Sequence, residues 1–130
     1  MSTGSIELLA ARADVWSFLA EPYHLTDWWP GITGVEPDQR GFAPGARWKV
    51  IATRRNILLG SASKESLLII RAIDPYERWA WHLVATKLDV EISLQATAED
   101  RTVATITLSK GSPGLALKRL YDLCQTAASL

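Results

Sequence analysis

The fold of this chain is decided by residues 88–97, LDVEISLQAT, in which apolar and polar side chains alternate from one end to the other. A period of two places every second side chain on the same face of a β-strand, so one face of this strand is expected to be buried. The apolar residues that share that face are Leu88, Val90, Ile92, Leu94 and Ala96. Glu99-Asp100 predicts a hairpin turn, after which residues 102–109 return as a second strand. The inward side chains of that second strand are Ala104, Ile106 and Leu108.

The segments before residue 88 predict further strands of the same sheet. In residues 78–85, Trp79, Trp81 and Leu83 share one face of a strand, and His82 lies on the opposite face. Asp74-Pro75 predicts the turn that precedes it. The other predicted strands cover residues 5–9, 32–35, 47–53 and 66–73, and the stretch 54–64 could hold another around Ile57-Leu59.

Three segments predict helices. Residues 12–20 place apolar side chains at helical spacing, with Asp14 in the first turn, where the helix dipole favours a negative charge. Pro22 suits the first turn of a second short helix over residues 22–29, which Pro30-Gly31 ends. A last helix is expected to start at residues 111–113. Its inward stripe is predicted to be Leu117, Leu120, Tyr121, Cys124 and Ala128, at spacings of three and four.

The order of elements predicts an α+β architecture of the helix-grip type in a single domain, residues 1–130. One strand, two short helices, about six antiparallel strands and one long helix follow each other along the chain. Strands joined by short turns, each with one apolar face, make a curved antiparallel sheet of six to seven strands. The concave face of that sheet needs a cover, and the C-terminal helix is the long amphipathic element expected to supply it.

Composition excludes several functional classes. Lys and Arg number 14 and so do Asp and Glu, so the chain lacks the basic excess expected of nucleic-acid-binding or membrane-surface proteins. An apolar share of 48% is too high for a disordered chain. The aliphatic run 67–70 is too short to span a bilayer, and the start of the chain carries no signal-peptide pattern. A single cysteine suits a reducing compartment, so we expect a soluble cytoplasmic protein.

Four sequence segments resemble a known superfamily. Residues 11–19, ARADVWSFL, and 23–31, YHLTDWWPG, resemble the opening motif of the bacterial polyketide cyclase/dehydrase-like branch of the START-like, or SRPBCC, superfamily. Residues 43–48, APGARW, resemble the entry to one of its strands, and residues 74–81, DPYERWAW, resemble its turn and strand of the D-P-P-x-R-L-x-W type. The resemblance covers essentially the whole chain. These are fold motifs, so they imply no particular catalytic residue.

The resemblance implies a cavity between the sheet and the C-terminal helix that holds a small hydrophobic molecule, such as a lipid, a polyketide or an aromatic compound. No phosphate loop, dinucleotide fingerprint, nucleophile elbow or cysteine cluster is present in the sequence, so we expect no cofactor and no metal. The residues predicted to line the cavity are Trp48, Arg71, Trp79, Trp81, Leu83, Ile92, Leu94, Ile106, Leu117 and Tyr121.

The six tryptophans leave alternatives open. Trp48, Trp79 and Trp81 either line the cavity and stack on a flat ligand or fill the core. Trp16 lies among apolar residues of the first helix and is predicted to be structural. Of Trp28 and Trp29, one is expected to pack inward and the other to lie near the cavity mouth, because adjacent helical residues cannot face the same way.

Few polar side chains are candidates for chemistry. Arg71 interrupts an aliphatic strand and either anchors an anionic group inside the cavity or caps the strand at its rim. His82 is expected on the outer face, and Tyr121 either donates a hydrogen bond into the cavity or packs. His24 and Asp27, three residues apart, fall short of the ligands a zinc site needs and predict a solvated pair. Cys124 is predicted to be a small core hydrophobe.

Three functions remain open from the sequence. The leading hypothesis is a non-catalytic binder or carrier of a small hydrophobic molecule. The second is a cyclase- or dehydrase-type enzyme acting on a polyketide-like substrate, with Arg71, Tyr121 or His82 as acid–base groups. The third is a protein-interaction module of the chaperone-cofactor kind, which would expose an apolar patch.

Overall fold

The strands of the protein form one continuous antiparallel sheet. The computed structural model describes residues 1–56 and 60–128, with side chains described for residues 1–52 and 64–125. In this part of the chain the sheet has seven strands in the order β1-β7-β6-β5-β4-β3-β2. The strands are β1 (Ser2–Leu8), β2 (Ile32–Glu36), β3 (Arg47–Asn56), β4 (Gly60–Asp74), β5 (Arg78–Leu83), β6 (Leu88–Ala98) and β7 (Arg101–Leu108). The helix-grip prediction of six to seven antiparallel strands is confirmed.

The alternation in residues 88–97 sets the register of the sheet as predicted. Val90, Ile92 and Leu94 are buried on β6, and each lies opposite an inward residue of β7. Ala96, predicted to face inward with them, is exposed, and a register shift follows at Ala96/Ala98. The expected strand around Ile57-Leu59 lies outside the described residues.

The helices lie where the sequence predicts them, with one difference. Helix α1 (Arg12–Ala20) has the predicted bounds. The predicted helix over residues 22–29 is instead a 3-10 turn (Pro22–His24) followed by α2 (Leu25–Trp28). Trp29 has an extended backbone, φ −90° and ψ 120°, because a residue that precedes proline is disfavoured in the helical region. The last helix, α3 (Gly114–Ala128), begins directly after Pro113.

Two groups of helices cover the concave face of the sheet. Helix α3 packs on β1 and α2. Gly4 on β1 permits this approach, because a Cβ atom there would lie 3.0 Å from the Leu117 side chain and 3.0 Å from the ring of Pro113. Helix α2 brings Trp28 onto β5. The prediction that α3 is the cover is therefore incomplete, since the segment between β1 and β2 covers the sheet as well.

One buried polar side chain lies in the core of the described residues. The Thr102 hydroxyl donates a hydrogen bond of 2.8 Å to the Ala10 carbonyl, which ties the start of β7 to the loop before α1. Leu8, Val15 and Leu19 are buried around the two segments that this bond joins. These neighbours are aliphatic, whereas the part of the core around β5 is aromatic.

Candidate functional site

Five tryptophans form the aromatic part of the core. We call Trp28, Trp29, Trp48, Trp79 and Trp81 the indole cluster. The ring centroids of Trp79 and Trp81 are 4.2 Å apart, and Trp28 lies 5.9 Å from Trp81 in an edge-to-face arrangement. Trp48 lies 5.7 Å from Trp79, and Trp29 lies 5.4 Å from Trp81. At these distances the rings are in direct contact and form one continuous apolar surface.

Local structure places each ring of the indole cluster. The alternation of β5 directs Trp79, Trp81 and Leu83 to the concave face, where all three are buried. Trp48 reaches the same face from β3. Trp28 closes over them from the end of α2 and is fully buried. Of the two alternatives left open by the sequence, the structure places Trp48, Trp79 and Trp81 in the packed core, in contact with each other rather than apart across an open space.

The hydrogen bonding of these rings is incomplete. The Trp48 indole N–H donates to the Gly41 carbonyl at 2.7 Å. By contrast, the buried Nε1 atoms of Trp28, Trp79 and Trp81 have no hydrogen-bond partner among the described residues. A buried donor left without an acceptor costs about 1–3 kcal/mol, so three such donors in one cluster are a marked departure from normal core chemistry.

A groove opens at the edge of the indole cluster. It has a volume of about 280 Å³, and we call it the rim groove. The connection after α2, strand β3, the β5–β6 turn and the β7–α3 connection all contribute to it. Its lining residues are Trp29, Pro30, Gly31, Ile32, Ala52, Leu83, Thr86, Leu88 and Lys110. Trp29 belongs to both features, because its side chain lines the rim groove and its ring contacts Trp28 and Trp81.

Both tryptophans at the end of α2 are buried. Trp28 is fully buried beneath the cover, and Trp29, 6% exposed, lines the rim groove. This arrangement agrees with the expectation that one of the two rings packs inward and the other lies near an opening. The two rings diverge because Trp29 has left the helical conformation.

The remaining aliphatic candidates also lie in the interior. Ile92 and Ile106 are fully buried on neighbouring strands, and Leu94 and Leu117 are nearly so. Tyr121 on α3 is half-buried and packs against the core. Trp16, predicted to be structural, packs edge-to-face on Phe42 with a centroid distance of 5.6 Å.

Arg71 does not line the interior, which corrects the sequence prediction. Leu68 and Ile70 face the interior, so the alternation of β4 places Arg71 exposed on the outer face of the sheet, next to a β-bulge between Ile70 and Ala72. There it borders a groove of about 320 Å³ together with Ala80 and Glu91. Ile70, its neighbour, is buried instead, so the aliphatic face of β4 contains no buried arginine.

The outer face carries the ionic groups near β5. His82 is on this face, as predicted, with its Nδ1 atom 2.7 Å from a carboxylate oxygen of Asp89. Arg78 donates to Glu91 at 2.5 Å and to Asp74 at 2.8 Å. These two carboxylates raise the pKa of Arg78, with Glu91 the larger cause. All of these groups lie on the opposite side of the sheet from the indole cluster.

His24 does not form the solvated pair with Asp27 that the sequence predicts. Its Nδ1 atom lies 2.8 Å from the Phe18 carbonyl, and its ring stacks on the Phe18 ring with a centroid distance of 4.3 Å. The 3-10 turn brings His24 back towards the end of α1, which explains the change of partner. Among the described residues no group of three or more His, Cys, Asp or Glu side chains could hold a metal ion.

Cys124 lies in the core side of α3, as predicted. It borders a small apolar groove of about 180 Å³ between α1 and α3, beside Val15 and Phe18. Burial raises the pKa of the Cys124 thiol above its ordinary value, because the thiolate loses hydration. The thiol is therefore protonated and unreactive at neutral pH.

We expect Cys124 to react with a disulfide reagent such as dithionitrobenzoate more than about tenfold more slowly in the folded protein than in concentrated urea. Because the pKa of this thiol is higher in the folded protein than in the unfolded chain, the protonated thiol contributes to stability at neutral pH. This contribution is lost as the pH rises through the folded-state pKa. Absorbance of the released thiolate measures both rates. Equal rates in the two solutions would show that the thiol is accessible in the fold.

Comparisons with known proteins identify the fold. No protein-family model and no curated protein matches the sequence. Solved structures do match over nearly the whole chain. A protein from Nitrosomonas europaea has a TM-score of 0.71 at 18% identity, covering 97% of this chain and 94% of that one. A Thalictrum norcoclaurine synthase mutant, in complex with a transition-state analogue, has a TM-score of 0.69 at 16% identity and covers 97% and 94%.

A further similar structure is the di-domain ARO/CYC protein StfQ of the steffimycin biosynthetic pathway. Its TM-score is 0.69 at 13% identity, and the match covers 98% of this chain and 45% of that one. The chain has the helix-grip fold. In this fold the curved sheet and the C-terminal helix enclose the interior, and here the indole cluster occupies it. No helix among the described residues is long and apolar enough to cross a membrane.

Sequence reasoning missed the rim groove of this helix-grip protein. Four separate segments supply its lining, and a pattern within one strand or helix does not reveal which loops meet in space. Phe42 was missed as well, although its ring lies 5.0 Å from Trp79. The one available signal was the Trp28-Trp29-Pro30 sequence, in which the proline forces Trp29 out of the helix.

Proposed function

We propose that this helix-grip protein binds a small, flat, apolar molecule at the rim groove without transforming it. The observation that carries the proposal is the continuity between the groove and the indole cluster through Trp29. A ligand that enters the groove contacts the ring of Trp29, and flat rings stack favourably on indoles. We further propose that residues 1–130 act as one ligand-binding domain in the cytoplasm.

The volume of the rim groove limits the size of the ligand. A groove of about 280 Å³ lies just below the range of about 300–1,000 Å³ that is common for ligand pockets, so we expect a ligand at the small end of that range. Trp29, Leu83 and Leu88 supply apolar walls, and Lys110 supplies one cation at the edge. Norcoclaurine synthase, which shares the fold, accommodates a transition-state analogue, which supports small-molecule binding as the use of this architecture.

Binding is favoured over catalysis by the position of the ionisable groups. Two of the three acid–base candidates, Arg71 and His82, lie on the outer face of the sheet. The third, Tyr121, is half-buried on α3. The walls of the rim groove are mainly apolar, with Thr86 and Lys110 at its edge, and such walls hold a ligand without an acid–base pair to act on it.

The binding site can be tested by filling the rim groove. Thr86 is exposed and lines the groove, so Thr86→Trp introduces a large ring there without disturbing the core. We expect this substitution to weaken binding of the uncharged fluorescent probe N-phenyl-1-naphthylamine at least tenfold, or roughly 1.4 kcal/mol. The measurement is a titration followed by the emission of the probe.

Val84→Trp is the matched control for this experiment. Val84 lies two residues away, is 42% exposed and does not line the rim groove. This variant adds the same ring, and we expect it to bind the probe as the wild type does. Saturable binding that is equal in both variants and the wild type would place the ligand elsewhere, and no saturable binding in the wild type would contradict the proposed function.

A further inference from the structure

The three unpartnered indole N–H groups are close neighbours in the interior. Trp28, Trp79 and Trp81 are each at most 1% exposed, so water does not reach their side chains from the surface. The centroid of Trp28 lies 5.9 Å from that of Trp81 and 6.4 Å from that of Trp79. Three strong donors, no described acceptor and a common apolar surface therefore coincide in one small region.

The fold supplies an acceptor to an indole elsewhere in the same cluster. Trp48 donates to the Gly41 carbonyl at 2.7 Å, in the usual manner of a buried tryptophan. Buried donors are almost always paired, so a group of unpaired donors points to a partner from outside the chain. The ring faces around the donors are apolar, so an apolar molecule that carries one hydrogen-bond acceptor would suit both the rings and the N–H groups.

Trp29 connects these donors to the rim groove. Its ring contacts both Trp28 at 5.5 Å and Trp81 at 5.4 Å, and its side chain forms part of the groove wall. Pro30 follows it, and its backbone has already left the helix, so Trp29 is not held by helical neighbours on both sides. Trp28, Trp79 and Trp81 do not line the groove themselves, so a ligand in the groove would reach their N–H groups only if the Trp29 ring moved aside.

We infer that the protein selects flat apolar molecules that carry a carbonyl oxygen, such as aromatic ketones, over hydrocarbons of the same shape. The carbonyl accepts a hydrogen bond from at least one of the N–H groups of Trp28, Trp79 and Trp81. This inference rests on the proposed function, because it names the class of molecule that enters through the rim groove. It assigns the unpaired donors a role in selectivity, separate from the role of the rings in packing.

The inference can be tested with two rigid probes of nearly the same shape. Fluorenone carries one carbonyl oxygen, and fluorene carries a methylene group in its place. We expect fluorenone to bind roughly tenfold more tightly than fluorene, since a carbonyl that pairs with an unsatisfied buried donor gains a net hydrogen bond. Titrations of the wild-type protein, followed by the indole N–H signals in proton–nitrogen correlation spectra, measure both affinities. At saturation, fluorenone is expected to shift at least one signal of Trp28, Trp79 or Trp81 in the direction of a stronger hydrogen bond.

Two tryptophan-to-phenylalanine variants test whether Trp81 is one of the donors. Trp81→Phe removes one N–H group and keeps an aromatic ring, and we expect it to reduce the preference for fluorenone. Trp16→Phe is the control, because Trp16 packs against Phe42 outside the indole cluster. It is expected to retain the preference. The wild-type titrations alone decide the matter if Trp81→Phe fails to fold.

The outcomes separate this inference from the proposed function. Preferential binding of fluorenone, with a shifted interior signal, supports both. Equal affinities for the two probes, with the three interior signals unshifted by the carbonyl, overturn the inference and leave the proposed function standing. Failure of both probes and of N-phenyl-1-naphthylamine to bind overturns both proposals together.

Discussion

Replacing Trp79 by alanine is expected to lower the free energy of unfolding by about 3–5 kcal/mol. Trp79 is fully buried, and its ring contacts those of Trp28, Phe42, Trp48 and Trp81. Alanine would leave a large cavity at the point where these rings meet. Since small domains are stable by only about 5–15 kcal/mol, the variant is expected to be close to the limit of folding.

Urea unfolding followed by far-ultraviolet circular dichroism measures this loss. Tyr23→Ala is the control, because Tyr23 is also aromatic but is 61% exposed. We expect that control to remain within about 0.5 kcal/mol of the wild type. A Trp79→Ala variant as stable as Tyr23→Ala would show that the indole cluster does not support the core.

Replacing Leu120 by alanine is the second substitution with a large expected effect. Leu120 is fully buried on the inward face of α3, and its truncation is expected to cost about 2–5 kcal/mol. Leu115 on the same helix is 51% exposed, so Leu115→Ala makes the same leucine-to-alanine change at a position where it opens no cavity. Its cost is expected to stay below about 0.5 kcal/mol.

Thermal or urea unfolding of the two leucine variants tests whether α3 packs on the sheet through its inward side chains. A large difference between them is expected if α3 is docked on β1 through its inward stripe, as the close approach at Gly4 indicates. Small and equal losses in the free energy of unfolding for the two variants would contradict this docking. They would also contradict the assignment of α3 as a wall of the interior.

Much of the sheet could be predicted because its pattern is local. On β5 and β6 a period of two, read along the chain, already decides which side chains are buried. The orientation of Arg71 could not be predicted in this way, since residues 67–70 are all aliphatic and the alternation does not show that Leu68 and Ile70 face inward. The bulge after Ile70 then places Ile73 opposite the buried Trp79, because a one-residue shift reverses the face of the residues beyond it.

The candidate site was predicted less well, for a related reason. The strands predicted Trp79 and Trp81 as inward residues, but whether such rings surround a space or fill it depends on what packs against them. Here Trp28 arrives from α2 and contacts both rings. The rim groove depends in turn on loops such as those of Gly31, Thr86 and Lys110, which meet only in the folded protein.

The placement of charge agrees with the proposed use of the interior. Arg78, His82 and their carboxylate partners lie on the outer face, where exposed ion pairs contribute little to stability. The apolar side chain of Leu67 also lies exposed on the sheet, opposite Lys49, which is paired with Glu65 at 3.1 Å. The inner face carries the aromatic surface and the unpaired indole donors, so the features that suit a small ligand lie on one side of the sheet.

The most direct test of the central claim is a displacement titration on the wild-type protein. N-phenyl-1-naphthylamine is first bound to saturation, and fluorenone is then added while the probe emission is recorded. The rim groove and the indole cluster form one site in this account. We therefore predict one probe per chain, a dissociation constant of about 1–100 μM and complete competitive release by fluorenone. Probe that stays bound at saturating fluorenone, or that never binds saturably, would contradict the claim.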